Sequence, residues 1–374
     1  MKVLYLTEWY PHRYDAMSGL FVRKHAAAAV RAGVDVCVLY LYKDTSIRQT
    51  EQVCQQTDGI HEQYVYYPSS YLAALRAGWQ TVKQQWGTPD VCQLNVITKN
   101  ALLPLWLNIR HHIPYIIVEH WSGYLPQNGR YASGSLAHRL LARLTARHAS
   151  AILPVTHVLE EAMKRHGLTN RRWLRIHNVV DDFFYTTPSQ PHERFTFLHV
   201  SCFDEDAKNV CGLLRAVRRA AEQRKDFRLV MVGTGVDYSL ARTCADNLHF
   251  PEDMLCWTGE QTPEQVAQWF AQADALLLFS NYENAPVVIS EALATGTPVV
   301  ASSAGGIPEM VNDDCGQLVP AGDEQALAQA ILRMQDSHSR YDDAALRARA
   351  RVYSYKMVGD LLKHEYESAA GLTL

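Results

Sequence analysis

Residues 280–300 read SNYENAPVVISEALATGTPVV, directly behind Ala275–Phe279, an apolar run with the length of a buried parallel strand. Pro286 stands where a first helical residue is expected, because its missing N–H is not needed there and its φ is already helical. Val287–Thr295 then carries a helix pattern that Gly296 and Pro298 close. Glu283, Asn284 and Ala285 therefore form a tight loop at the mouth of a helix, just past the carboxyl end of a strand. Free backbone N–H groups and the positive end of the helix dipole meet at such a place, and a phosphate is the ligand they favour. Glu291 follows about five residues into the helix, roughly 7–8 Å along its axis. One acid at the loop and another deeper in point to a ligand with an anionic and a hydroxyl-rich part. Two solvated glutamates on an ordinary strand–loop–helix leave the same trace, so the surrounding chain has to decide.

A chain of 374 residues exceeds one typical domain, and two are expected. Its 48% apolar and 20% charged residues are those of a soluble globular protein. No apolar run reaches the roughly 18 residues of a membrane span. The opening MKVLYLTEWYPH has a short apolar run broken by Glu8 and no small-residue cleavage site. No secretory signal is expected there, and the expected compartment is the cytoplasm. Eight cysteines show no metal-finger spacing, and buried, reduced thiols are expected for nearly all of them. The charge is uneven: residues 1–177 carry 20 Lys and Arg against 11 acids, while residues 178–374 carry 16 against 28. Opposite halves fit two domains, with an anionic or membrane-surface partner meeting the first.

Both halves alternate strand and helix. Lys2–Leu6, Val34–Tyr40, Gln63–Tyr67, Asp90–Leu94, Tyr115–Val118, Ala151–Val155 and Trp173–His177 read as strands in the first. Thr196–Ser201, Arg228–Val232, Met254–Thr258, Ala275–Phe279, Pro298–Ala301 and Gln317–Val319 read as strands in the second. Helical spacing fills most of the gaps, and Asp181–Glu193, with Pro188 and Pro191, is the best linker. The fold class is α/β, with two Rossmann-like halves whose ligands belong at the carboxyl ends of strands, in the cleft between the halves.

Other motifs are weaker. Tyr10–Phe21 follows the first strand and holds one phosphate-approach glycine, Gly19, without the G-x-G-x-x-G of a dinucleotide site. Gly233-Thr234-Gly235 fits a tight turn. Glu119-His120-Trp121 sits at a strand's carboxyl end, where packing and cleft-lining are both open readings. Asp204-Glu205-Asp206 is a D-x-D in a polar loop, though metal binding is not expected. Lys208 precedes a helix start and can oppose a phosphate as a point charge. Arg139, Arg143 and Arg147 recur every four residues beside Leu136, Leu140 and Leu144. That ridge fits an anionic membrane, an acceptor phosphate or a plain solvated face. No nucleophile–base pattern or zinc signature appears, and the acidic second half argues against nucleic acid.

Taken as a set, these residues resemble the retaining, GT-B-fold glycosyltransferases of family 4. The most specific part is SNYENAPVVISEALATGTPVVASSAGGIPEMV from Ser280, which resembles the family's E-x7-E region and its trailing Gly-Gly-x-x-Glu. The resemblance implies an N-terminal, acceptor-side domain of residues 1–185, rejoined by a C-terminal helix at about 354–374, and a nucleotide-sugar domain of 186–353. It places Glu283 and His120 at the donor sugar and Asn284, Ala285, Pro286 and Val287 on the sugar and diphosphate. It also places Glu291 on the ribose, Lys208 and Gly19 at the diphosphate, and Glu260 near the base. A nucleotide-diphosphate sugar is the implied donor, with no cofactor and no metal required. The implied acceptor is a glycan or lipid-linked hydroxyl in cell-surface polysaccharide or glycolipid assembly, with peripheral contact at the inner membrane face. Two departures stand out: Ser201-Cys202-Phe203 replaces the family's Gly-Arg-Leu setting, and Ser18-Gly19 replaces two glycines. A sugar-nucleotide epimerase and a non-catalytic nucleotide-sugar-binding protein are the alternatives; a glycoside hydrolase, which also uses two carboxylates, fits less well.

Overall fold

The computed structural model describes residues 1–372. The chain divides into two compact units, residues 1–179 with 355 onward, and residues 180–354.

The first unit is a seven-stranded sheet of order β3-β4-β2-β1-β5-β6-β7. Its strands are β1 (Lys2–Thr7), β2 (Asp35–Lys43), β3 (Glu51–Thr57), β4 (Ile60–Tyr67), β5 (Val91–Asn95), β6 (Tyr115–Glu119) and β7 (Ala151–Pro154). All pairs are parallel except β3 with β4. Strands β5, β6 and β7 are buried at every position, as expected for a sheet covered on both faces. Strand β3 was not foreseen, because EQVCQQT is polar and exposed along nearly all its length. Its cue was the Asp58-Gly59 hairpin turn, both residues at positive φ. Trp173–His177, expected as a strand, makes one bridge, Trp173 to Ile152, and otherwise follows β7 as irregular chain. The Tyr355–Ala369 helix packs on the Leu20–Arg31 helix, and Gly359 allows it, since a Cβ there would lie 2.3 Å from the Ala28 carbonyl oxygen. Tyr366 fixes that helix to the sheet by sharing a 2.5 Å hydrogen bond with Tyr5 and donating to Gln93 at 2.6 Å.

The second unit is a six-stranded parallel sheet of order β10-β9-β8-β11-β12-β13. Its strands are β8 (Phe195–Val200), β9 (Phe227–Val232), β10 (Leu255–Gly259), β11 (Ala275–Leu278), β12 (Val299–Ser302) and β13 (Gly316–Val319). Phe197, Phe227, Phe270 and Ile289 are fully buried among them. Truncating one such ring to Ala costs about 3–5 kcal/mol. Asp181–Glu193 is more than a linker: it holds the Asp182–Thr186 helix, whose Phe184 is buried in this unit's core.

In both units the strand order reverses beside the first strand, at β1/β5 and at β8/β11. Doubly wound sheets bind ligands at the carboxyl ends of such neighbours. Glu283 follows β11, Lys208 follows β8, and Gly19 follows β1.

Candidate functional site

At the β8/β11 switch point the loops interlock. Asp204 caps a short helix, Glu205–Lys208, by accepting the Ala207 N–H at 3.1 Å. The D-x-D residues thus lie at and in a helical turn instead of a polar loop, and Glu205 accepts the Cys211 N–H at 3.0 Å. The turn ends at Asn209 in a left-handed conformation, leaving Lys208 directed at the opposite loop. There its Nζ donates to Glu283 Oε1 at 2.5 Å, and the Ser280 hydroxyl donates to the same oxygen at 2.8 Å. The Asn281 N–H and side-chain amide donate to the carbonyls of Ala207 and Asp206. Burial pushes the Lys208 ammonium down, but the charge and hydrogen bond of Glu283 outweigh it, and the net shift is upward. Lys208 is a fixed, mostly buried cation.

Glu283 is held from behind as well. Gly305, at φ 53°, packs against it so closely that a Cβ would fall 1.8 Å from the Glu283 carbonyl oxygen, and the Gly306 N–H donates to that oxygen. Beneath the loop, buried His199 joins β8 to β11. Its Nδ1 lies 2.9 Å from the Leu277 carbonyl and its Nε2 2.8 Å from Ser201 Oγ. Burial lowers the His199 pKa to about 4 despite the carbonyl partner, so the neutral ring donates through Nδ1 and accepts through Nε2.

The Val287–Thr295 helix begins one residue later than its sequence implied. Pro286 is the cap, with ψ 115°, and Val287 is the first helical residue. Asn284, Ala285 and Val287 are half-buried around that mouth, Pro286 is buried, and Glu291 is half-buried one turn further in. Glu260 lies exposed after Gly259 at the end of β10. Gly233 and Gly235 close the neighbouring turn, where side chains would strike the backbone of Ser201 and Phe203.

In the first unit, Gly19 caps the Leu20–Arg31 helix in a left-handed conformation, with its missing Cβ only 2.2 Å from the Trp9 carbonyl. The loop needs glycine there whatever binds outside it. Phe21, in that helix's first turn, lies 4.3 Å from the His120 ring, and His25, one turn further along, lies 5.2 Å from it. Burial lowers the pKa of His120, with His25 adding to the effect and a hydrogen bond to Asn178 opposing it. His25 is fully buried, falls to about pKa 4, and meets the His177 carbonyl through Nε2 at 2.9 Å. Nothing in the sequence singled out His25.

Glu119 does not line an open surface. It is fully buried, its Oε1 accepting the N–H groups of His120 and Trp121 and its Oε2 that of Ile97. Ile97 follows Val96, a β-branched residue at φ 63° at the end of β5. Such a conformation costs on the order of 1–3 kcal/mol and needs a clamp. Burial raises Glu119 to about pKa 7 against the pull of those three N–H groups.

On the Leu136–His148 helix, Leu136, Leu140 and Leu144 are 67%, 61% and 45% exposed, an apolar stripe at the surface. Arg143 and Arg147 are both exposed, and Arg143 also donates to the His166 carbonyl. Cys54, Cys202 and Cys256 are exposed, so burial holds for fewer thiols than expected. Among the described residues one group, His157, Glu160 and Glu161, is close enough to hold a cation, and Lys164 already bridges its two glutamates. No helix among them is long and apolar enough to cross a membrane.

Two interlocked switch-point loops on a twofold Rossmann-like frame define a class, and comparison with known proteins agrees. Residues 194–337 match the family described as glycosyl transferases group 1, and residues 18–179 match the glycosyl transferase 4-like domain. The chain belongs to the group 1 (family 4) glycosyltransferases and has the GT-B fold. It is 26% identical to the N-acetyl-alpha-D-glucosaminyl L-malate synthase of Bacillus anthracis, over 57% of each chain. It is 32% identical to the phosphatidyl-myo-inositol mannosyltransferase of Mycobacterium leprae, over 47% of each. The chain thus spans about half the length of these curated relatives. Anabaena HepE, solved in complex with UDP, superposes with a TM-score of 0.76 over 98% of this chain and 100% of its own, at 18% identity, a likeness of fold.

Proposed function

We propose that the protein transfers a sugar from a nucleoside-diphosphate donor to a hydroxyl of a glycan or lipid-linked acceptor, with retention at the anomeric carbon. The observation that carries this is the Lys208–Glu283 pair, fixed beside a helix mouth at a topological switch point. The leaving diphosphate gains negative charge as the glycosidic bond breaks. A preorganised ammonium and helix-terminal N–H groups stabilise that charge without reorganising, and such donors are worth roughly 10²–10³ in rate each. Glu283, held by Lys208, Ser280 and Gly306, faces the sugar with Asn284, Ala285 and Val287; Glu291 takes the ribose hydroxyls. Neutral His120, packed against Phe21 and His25, is the uncharged hydrogen-bond partner of the sugar in this reading. Gly19 lets its loop approach the diphosphate, and Glu260 approaches the base. No metal is required, because Lys208 and the helix mouth supply the positive charge. HepE with UDP and the mannosyltransferase named for phosphatidyl-myo-inositol support a nucleotide donor and a lipid-linked acceptor. The acceptor side works at the cytoplasmic face of a membrane, with the exposed Leu136, Leu140 and Leu144 in the lipid interface and Arg147 toward anionic headgroups.

Glu283→Gln tests the assignment. Turnover of the sugar nucleotide in the presence of acceptor should fall at least about 100-fold, while affinity for the bare nucleoside diphosphate stays within threefold of wild type. Normal turnover would remove Glu283 from the mechanism.

A further inference from the structure

A second concave site lies in the first unit, between the loop that follows β1 and the β3–β4 hairpin. Register places Tyr40 of β2 beside Tyr64 of β4, Tyr42 beside Tyr66, Val53 of β3 beside Tyr64, and Gln55 beside Glu62. Alternation then puts these side chains on one face of the sheet. The loop after β1 crosses that face: the His12 ring lies 4.4 Å from that of Tyr42, and the Arg13 guanidinium 3.9 Å from the Tyr66 ring centre. Between loop, hairpin and Arg23 is a cavity of about 400 Å³, open on one side and floored by Tyr64, Tyr66 and Glu62. That volume lies within the roughly 300–1,000 Å³ of small-molecule sites.

Its chemistry is selective. Each charge on the wall already has a counter-charge. Arg13 pairs with Asp44 at 2.6 Å and Glu51 at 2.7 Å, and Arg23 pairs with Asp58 at 3.1 Å and faces Glu62 at 3.9 Å. An ionic ligand would have to displace one of those partners. The buried Glu62 carboxylate is oriented by three donors, Tyr10 at 2.6 Å, Gln55 at 2.7 Å and Thr57 at 3.0 Å. Burial depresses His12 against the pull of Asp15, and its Nδ1 accepts the Tyr14 N–H at 3.3 Å, so the neutral ring presents its Nε2–H as a donor. A purely apolar ligand would strip water from Gln55 and Thr57 without replacing it. Aromatic floor, planar amide, oriented carboxylate and balanced charge together suit a ligand that is apolar on its ring faces and hydroxylated at its rim.

We propose that this cavity is a glycan-binding subsite that takes a neutral pyranose unit of the acceptor, with Gln55 and Thr57 on its hydroxyls and Val53 and the edge of Tyr64 against its ring. Only the word acceptor rests on the transferase reading; the site itself does not. It gives the first unit a hold on a sugar of its own.

Saturation-transfer NMR on the full chain tests it, with maltotetraose, cellotetraose and mannotriose as neutral probes and tetragalacturonate as the acidic one. Wild type should contact at least one neutral probe. Val53→Trp, which fills the cavity from an exposed rim position, should weaken that contact at least tenfold. Gln55→Ala should weaken it about threefold or more. Val53→Trp should leave the melting temperature unchanged, Gln55→Ala should lower it by a few degrees because Glu62 loses one of its three donors, and neither should change nucleoside-diphosphate affinity. Silence from all three neutral probes, binding of tetragalacturonate alone, or undiminished binding by Val53→Trp would each overturn the proposal. A chain that binds neutral probes but no nucleotide would instead sink the donor reading and leave this site standing.

Discussion

Gly305 supports the backbone of Glu283: a side chain at 305 would sit 1.8 Å from the Glu283 carbonyl oxygen, and the next residue's N–H donates to that same atom. The loop that carries the acid therefore depends on a glycine 22 positions away in sequence. Gly305→Ala must move either the φ 53° turn or the Glu283 loop. Turnover should drop at least about 100-fold, as expected when a catalytic group shifts by about an ångström. Melting temperature should fall by only a few degrees. Turnover near wild type in steady-state kinetics would show that the loop position tolerates the shift.

Glu119 carries a pH signature. Its folded-state pKa of about 7 stands above the ordinary 4.5 because burial outweighs three N–H bonds. Between those values the folded chain binds a proton that the unfolded chain has released. Glu119's contribution to stability is thus fully present below about pH 4.5 and is lost as pH rises through about 7. Chemical denaturation of wild type and Glu119→Gln across pH 4.5–8 should show wild type losing up to about 3 kcal/mol relative to the variant. A difference independent of pH would mean that the N–H groups hold Glu119 ionised throughout.

The surface stripe of the Leu136–His148 helix gives a separable prediction. Leu136→Ser, Leu140→Ser and Leu144→Ser together should reduce sedimentation with anionic phosphatidylglycerol vesicles at least tenfold. Fold and nucleotide affinity should be unchanged, since all three side chains are exposed. Replacing Arg147 with Gln should have the smaller, salt-dependent effect of one charge, about 1 kcal/mol. Equal sedimentation of wild type and triple variant would reject the membrane face.

Long apolar runs and helix punctuation made most of the architecture legible in advance. The thirteen strands among the described residues include one with no such signal, β3, whose polar EQVCQQT lies exposed at a sheet edge. Its partner β4 and the Asp58-Gly59 turn define it instead. The site was legible where local chemistry sufficed, as with Glu283 at its helix mouth and Lys208 at the turn before it. Long-range relations were not legible. The contact of Gly305 with Glu283, the packing of His25 on His120, and the clamp of Glu119 on Ile97 each join residues from separate elements. Side-chain direction was legible only in part: Arg143 is exposed as the ridge implied and also donates to the His166 carbonyl, while the leucines beside it are exposed as well.

The central claim is that Lys208, held by Glu283, receives the diphosphate of a nucleotide sugar. Titration calorimetry of wild type and Lys208→Ala with UDP, GDP and ADP tests it most directly. The account predicts that wild type binds at least one of the three, and that Lys208→Ala binds it at least tenfold more weakly, about 1.4 kcal/mol, while the corresponding nucleoside shows no such loss. Wild type that binds none of them, or a variant that binds as tightly as wild type, would contradict it.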